Sequence, residues 1–498
     1  MSRLACKPKP TAAVTATTVP DAESDRDIIS FDGTQIRIHW FPLPTDAKPS
    51  PTILMGPGWG SGGDTDTTSS SALGTTSIKD LRDAGYNVLT WDPRGFGQSS
   101  GTITVDSAAA EGRDVQRIID WVAEQPGVQL DAPHDPRIGM VGASYGGGIQ
   151  LVTAAIDCRV DAIVPSWAWH SLATSLYKAA TPKTGWGALL YAAASGRELD
   201  PHIKSAFNSG VTTGLLSSDD AAWFEQRGPG NLVSKIRVPT LFVQGTVDTL
   251  FTLDEVVENY RILRRNGVTT AMVWACTGHG VCLTDAGDKD RARQKTLAWL
   301  ERYVQRDAST PTGPRFEFVD QKGRSYTADD YPLPAGSPIT ANGHGTLILS
   351  PMDGSGPAHL PPGNKDLLGP FAAPITPAKA FNSVDATVTN GRTAAVVIGA
   401  PKLRLTYRGR AKTDTRPTRL FAQLVDARTG IVVGNQVTPI DVTLDGAEHT
   451  TTVALEPRAH LVLQLVATTV TYVQPQLGGS VDITAHLALP VAAGLTAK

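Results

Sequence analysis

Two Gly-x-Ser-x-Gly pentads occur in the chain, Gly97-Gln-Ser99-Ser-Gly101 and Gly142-Ala-Ser144-Tyr-Gly146. A serine in such a pentad can act as a nucleophile where a sharp turn pushes its Oγ outward, and the glycines leave room for that turn. Context separates the two. Ser144 follows the apolar run 138–141 directly and opens a helical stretch over 147–156, the strand–turn–helix order that the turn requires. Ser99 lies between two loops and is expected to be a structural turn serine.

A nucleophilic serine needs a base, and the base needs an orienting acid. Where this turn occurs, the acid and then the histidine follow the serine along the chain. Asp248 ends the apolar run 240–245, in Gln-Gly-Thr-Val-Asp, whereas Asp254 and Glu255 open a helix and read as cap and first-turn charges. His279 stands between Gly278 and Gly280 just past the run 270–274, at the C-terminal end of a strand, where ligands meet an open sheet. Ser144, Asp248 and His279 are therefore the expected nucleophile, acid and base of an acyl transfer. Its tetrahedral intermediate needs two N–H donors. One is expected from Tyr145, the other from Trp59 or Gly60 in the loop Gly56-Pro-Gly-Trp-Gly60. The same loop contains Gly58-Trp-Gly60-Ser-Gly-Gly63, a Gly-x-Gly-x-x-Gly match. No helix start follows it, so a pyrophosphate would lack its helix N-terminus and no dinucleotide is expected.

The elements that must hold these residues alternate. Short apolar runs at 52–55, 87–91, 138–142, 161–164, 239–245 and 270–274 predict strands. Between them Val115, Ile118, Ile119 and Val122 share one helical face, and 254–265 and 290–304 are amphipathic. Strands alternating with helices specify an α/β domain with a parallel sheet buried on both faces. It is expected over 27–165 and 236–308. Residues 166–235 interrupt it as a helical cap rich in aromatics (Trp167, Trp169, Tyr177, Trp186, Tyr191, Phe207, Trp223, Phe224). From 309 to 498 Val/Thr/Leu runs alternate with Gly, Pro and Asn, without helical patterns, which predicts a β-sandwich or jelly roll. Residues 1–26 read as a disordered leader or linker. Only Leu4-Ala5 precede Cys6, too short for the apolar core of a signal peptide.

Composition narrows the classes further. A net charge of −3 without a basic block leaves no nucleic-acid footprint, and no run of 18 apolar residues predicts a membrane span. Four cysteines in 498 residues make neither a disulfide-built scaffold nor a zinc ribbon. No metal or other cofactor is expected, and the oligomeric state is open. Cys276 and Cys282 bracket His279, and the two glycines between them let their Cα atoms come within the ~7 Å a disulfide tolerates. A disulfide and a pair of buried thiols both fit, as do the cell envelope and the cytoplasm.

The runs Trp91-Asp-Pro-Arg-Gly-Phe-Gly-Gln-Ser-Ser-Gly101 and Gly142-Ala-Ser-Tyr-Gly-Gly-Gly-Ile-Gln150 resemble the X-Pro dipeptidyl-peptidase and cocaine-esterase-like family of serine hydrolases. The tail segments Gly399-Ala-Pro-Lys-Leu-Arg-Leu405 and Arg419-Leu-Phe-Ala-Gln-Leu-Val-Asp426 are similar to the opening strands of that family's jelly roll. The resemblance covers nearly everything after residue 27. It implies an α/β-hydrolase domain with an inserted helical cap and a C-terminal jelly roll, with Ser144, Asp248 and His279 as the triad. Cocaine-esterase-like members carry a Tyr in the oxyanion loop, where this chain has Trp59. Peptidase members bind a free amino terminus through acids in or near the cap. The cap acids here, Glu198, Asp200, Asp219, Asp220 and Glu225, carry no such fingerprint and are expected to be solvated.

The expected activity is hydrolysis of a small carboxylic ester through an acyl-enzyme on Ser144. X-Pro peptidase, amidase or acyltransferase chemistry on the same triad is the alternative. A non-catalytic carbohydrate-binding protein is the reading from another class. Aromatic side chains bury large areas, so Trp167, Trp169 and Trp186 are expected in an apolar acyl pocket.

Overall fold

The computed structural model describes residues 23–44, 48–70, 76–364, 366, 368–388, 395–412, 416–455, 462–472, 475–493 and 495. The leader expected over 1–26 lies outside the described residues up to 22. The first strand, β1 (Ser24–Ile29), already pairs antiparallel with β2 (Gln35–Phe41).

One large sheet is built from β1 and β2, then β3 (Thr52–Gly56), β4 (Asn87–Trp91), β5 (Ile138–Ala143), β6 (Val160–Ser166), β7 (Thr240–Gly245), β8 (Thr270–Ala275), β9 (Phe316–Val319) and β10 (Ser325–Ala328). Its order is β1-β2-β4-β3-β5-β6-β7-β8-β9-β10. The pairs from β4 through β9 are parallel, and those at either end are antiparallel. Side chains alternate between the faces of a strand. Leu54, Leu89, Met140 and Met272 accordingly join one buried cluster with the apolar faces of α2 (Glu111–Ala123) and α8 (Leu253–Arg265). Ile53, Val88, Val141 and Val273 join another with α1 (Ile78–Asp83) and α9 (Arg291–Leu300). Such burial contributes roughly 1.5–3 kcal/mol per large side chain.

The sheet runs on past residue 308. Phe316, Glu317 and Phe318 pair with Met272, Val273 and Trp274, so β9 and β10 belong to the α/β sheet although they fall in the stretch expected to be sandwich. The cause is partner choice: Phe316 packs edge-on against Trp274 and Tyr331, while its local pattern is that of any strand.

Between β6 and β7 the chain leaves the sheet as α4 (Leu172–Leu176), α5 (Thr184–Ala193), α6 (Pro201–Thr212) and α7 (Ser218–Glu225). Local signals set their starts. Asp200 caps α6 with Pro201 at its first position, and the Ser217 side chain caps α7. Two antiparallel four-stranded sheets follow. One contains β11 (Ile339–Ile348), β18 (Gly479–Leu489), β13 (Lys402–Ala411) and β16 (Asp445–Ala454), in that order. The other contains β12 (Val384–Thr387), β17 (Val462–Val466), β14 (Arg419–Val425) and β15 (Val432–Asp441). Their inner faces share one apolar core that includes Leu403, Leu405, Leu420, Leu463, Ile483 and Leu487. No helix among the described residues is long and apolar enough to cross a membrane.

Candidate active site

Ser144 sits where β5 turns into α3 (Tyr145–Ile156), with φ 60° and ψ −119°. That conformation costs a non-glycine residue about 1–3 kcal/mol and persists only where the surroundings impose it. Here they do. A Cβ on Gly146 would lie 2.1 Å from the carbonyl oxygen of Gly56, so only glycine lets α3 press against β3. The amides of Gly147 and Gly148 donate to the Ser144 carbonyl at 2.8 and 2.9 Å, tying the turn to the helix.

His279 Nε2 lies 2.8 Å from Ser144 Oγ, and its Nδ1 lies 2.8 Å from Asp248 Oδ2. A carboxylate oxygen accepts, so Nδ1 carries the ring proton and Nε2 is left to accept from the serine hydroxyl. Asp248 is fully buried, and its other oxygen accepts from the amides of Leu250 and Phe251 at 3.0 and 2.8 Å. The loops bearing Asp248 and His279 touch closely: a Cβ on Gly280 would lie 1.9 Å from the Val247 carbonyl oxygen. Cys276 and Cys282 are joined as a disulfide across the His279 loop, with Cα atoms 5.6 Å apart. Cys158 is disulfide-bonded too.

The aromatics divide. Trp167, Trp186 and Phe251 set their rings edge-on to the His279 imidazole, with centroids 6.0, 5.9 and 5.2 Å away, and Trp186 Nε1 donates to Thr249 Oγ1. Trp169 instead lines a cavity of about 140 Å³ between cap and sheet, with Ser144 and Tyr145 at one end and Gly210 and Val211 of α6 among its walls. Trp59 lines it as well, its ring against Phe96 and Tyr145 and its indole N–H donated to the Leu190 carbonyl at 2.9 Å. Gly60 lies beside it in the same loop, against Ala193 of α5. No carboxylate lines this cavity among the described residues. Its lysine, Lys183, donates to the carbonyls of Thr249 and Leu250. The cap acids are engaged elsewhere: Glu198 by Thr102, Asp200 at the α6 cap, Asp220 by Ser205, Ser217 and His202, and Glu225 by Ser171. Asp219 is exposed.

The model of the X-Pro dipeptidyl-peptidase (S15 family) matches residues 32–280, half of the chain. The chain belongs to this family. The matched span contains Ser144, Asp248, His279 and the whole cap. A polyketide transferase of Penicillium sp is 29% identical over 152 residues, which are 30% of this chain and 46% of that protein. An uncharacterised 31.7 kDa protein of Escherichia coli is 36% identical over 87 residues, 18% of this chain and 29% of its own. The chain thus spans less than half the length of these curated relatives. Among solved structures, an α-amino acid ester hydrolase superposes with a TM-score of 0.69 at 14% identity, over 97% of this chain and 98% of its own. A CocE/NonD family hydrolase from Staphylococcus aureus does so with 0.64 at 14%, over 94% and 93%. At that identity the likeness is one of fold.

The S15-family span also holds a support to which the sequence pattern assigns no role. Asp92, of the Trp91-Asp-Pro-Arg run, accepts from the amides of Gly63 and Gln98 at 2.8 and 2.6 Å and pairs with His39 Nε2 at 3.2 Å. Burial alone would raise its pKa, but these donors hold the carboxyl below its ordinary value. Asp92 thereby fixes the loop after β3 to β4. Ser99 belongs to this support: its Oγ donates to the Asp92 carbonyl at 2.7 Å and accepts from the Arg37 amide at 2.8 Å. The signal that could have found it is a glycine-rich loop facing a buried acid that follows a strand.

Proposed function

We propose that this chain is a serine hydrolase that cleaves carboxylic esters with an apolar acyl part, through an acyl-enzyme on Ser144. The observation that carries the reading is the Ser144–His279–Asp248 hydrogen-bond relay at one end of a cavity that no carboxylate lines among the described residues. His279 Nε2 takes the Ser144 proton as Oγ attacks the ester carbonyl carbon. The oxyanion is held by the Tyr145 amide, at the N-terminus of α3, and by the backbone N–H of Trp59, with Gly60 as the neighbouring alternative. The Trp59 indole is committed to Leu190, which leaves its side chain to wall the acyl cavity. Collapse breaks the ester C–O bond, and the alcohol departs with the proton from His279. Water, deprotonated by the same imidazole, then releases the acid.

An X-Pro peptide would bring a charged amine into an apolar cavity, a costly burial without a partner. That disfavours the peptidase reading relative to the ester. Acyl transfer to an alcohol or amine would use the same acyl-enzyme and needs no further residue. We read the C-terminal sandwich as a jelly roll, supported by its strand orders β11-β18-β13-β16 and β12-β17-β14-β15, and as a domain beginning after β10. The disulfides at Cys276–Cys282 and Cys158 favour an oxidising compartment.

The test is labelling with a fluorophosphonate and turnover of p-nitrophenyl esters. Ser144→Ala should lose both, while Ser99→Ala retains both in a folded protein. Full labelling of Ser144→Ala would sink the assignment. Faster cleavage of Gly-Pro-p-nitroanilide than of any ester would replace esterase by peptidase.

A further inference from the structure

Strand β15 breaks its register with β14. Gln423 pairs with Val437 and Val425 with Val432, so residues 433–436 lie opposite Leu424 alone. Gly434 and Asn435 both take positive φ, 55° and 61°, a backbone that glycine and asparagine accept at least cost. A bulge bends a strand and re-aims its side chains. This one aims two amides at the catalytic loops of the other domain. Asn435 Nδ2 donates to the Val281 carbonyl at 2.7 Å, two residues past His279, and Gln436 Nε2 donates to the carbonyl of Asp248 itself. Both side chains are buried, Asn435 almost completely.

We infer that Asn435 and Gln436 are positioning residues: a clamp from the sandwich that sets the Asp248 loop against the His279 loop. The inference rests on Ser144, Asp248 and His279 being the triad. Asp248 is oriented locally by the amides of Leu250 and Phe251, and His279 is oriented by Asp248. The loops touch at Gly280 and Val247 and are joined by the Thr246 amide to the Ala275 carbonyl, so what is left to fix from outside is a small displacement of their tips. Two donors on adjacent residues of one strand remove that freedom, because each grips a different loop. A neighbouring cavity of about 80 Å³, lined by Val247 and Cys276 on one side and Gly434 and Asn435 on the other, gives the loops room to shift once the clamp is released. A reacting group misplaced by ~1 Å can lose about a hundredfold in rate. Neither residue touches the reacting atoms, so the clamp acts on rate and not on substrate binding.

Three variants of the full chain test it. Asn435→Gly keeps the positive-φ backbone and deletes the donor. Asn435→Asp keeps shape and backbone but presents an acceptor to a carbonyl. Gln436→Met keeps length without the donor. The expected result is a fall in the fluorophosphonate labelling rate of Ser144, and in kcat for p-nitrophenyl acetate, of about ten- to a hundredfold. KM should stay near that of the wild type, with Asn435→Asp slower than Asn435→Gly, while the thermal midpoint falls because each variant leaves a buried carbonyl without its donor, so rates are compared at a temperature where every variant is folded. Wild-type labelling rates in the folded variants overturn the clamp, as does a loss that only tracks the unfolded fraction. If Gln436→Met does not fold, the two Asn435 variants decide. Peptide mapping of the labelled site keeps the two readings apart. A label on another serine overturns the triad, whereas Ser144 labelled at the wild-type rate overturns the clamp alone.

Discussion

Asp106, beneath α3, is fully buried, and among the described residues neither of its carboxyl oxygens has a hydrogen-bond partner. Burial and then the nearby Glu111 push its pKa well above the ordinary carboxylate range. Glu111 is raised by burial too, although Thr104 and Ser107 donate to it, and it lies 3.5 Å from the Tyr145 hydroxyl. Between the ordinary carboxylate range and its raised folded pKa, Asp106 holds its proton in the folded chain and gives it up on unfolding. The folded state then binds the extra proton, so this group's contribution is full at acid pH and is lost as pH rises toward the folded pKa. Asp106→Asn has no proton to lose. Its thermal midpoint should fall less than that of the wild type between pH 5 and pH 8, and parallel midpoint curves would show that Asp106 is ionised in the fold. Such a residue is not legible in sequence, because an aspartate in a loop is ordinarily solvated and only the packing of α3 and Trp169 around it says otherwise.

At the scale of elements, α5 and α6 wall the cavity proposed to take the acyl chain. Gly187 of α5 lines it, and a Cβ there would meet nothing closer than Phe207, 4.0 Å away. Gly187→Leu should fill that space while keeping the helix. Turnover of octanoate relative to acetate esters should drop at least tenfold, the order that a few displaced methylenes command. Trp186→Ala, against the His279 ring, should instead slow every chain length alike. A chain-length profile of both variants measures the difference, and a uniform loss in Gly187→Leu would mean that the acyl chain lies elsewhere. The parallel strands were legible because burial on both faces makes them continuous apolar runs, and the elbow because its strand, turn and helix are contiguous. Strands β9 and β10 were not, since an edge strand's pattern is silent about which sheet it joins. Trp167 and Trp169 show the same limit: two residues apart, they reach the His279 imidazole and the cavity between cap and sheet respectively, and only the fold of the loop after β6 decides which.

The whole molecule is held by polar bonds between distant parts of the chain. Gln436 reaches a carbonyl 188 residues away and Asn435 one 154 residues away, separations at which no local pattern announces a partner. Arg419, buried in β14, extends the same logic to the cap. Its Nε donates to Thr181 Oγ1 at 2.7 Å and its Nη2 to the Ala180 carbonyl at 3.2 Å, while Nη1 pairs with Asp441. Two residues on, Lys183 donates to the carbonyls of Thr249 and Leu250, beside Asp248. Sandwich, cap and sheet are thus fastened at shared buried groups, and they should unfold in one calorimetric transition. Arg419→Met leaves the Thr181 and Ala180 acceptors without their donor, at a cost of about 1–3 kcal/mol. The single transition should move to lower temperature as a whole. If the cavity takes the acyl chain as proposed, KM for long-chain esters should rise more than KM for acetate, because the cap that walls it is then no longer anchored to β14. Two transitions in the wild type, with only one displaced in Arg419→Met, would mean that the sandwich is fastened to the cap without being coupled to the sheet.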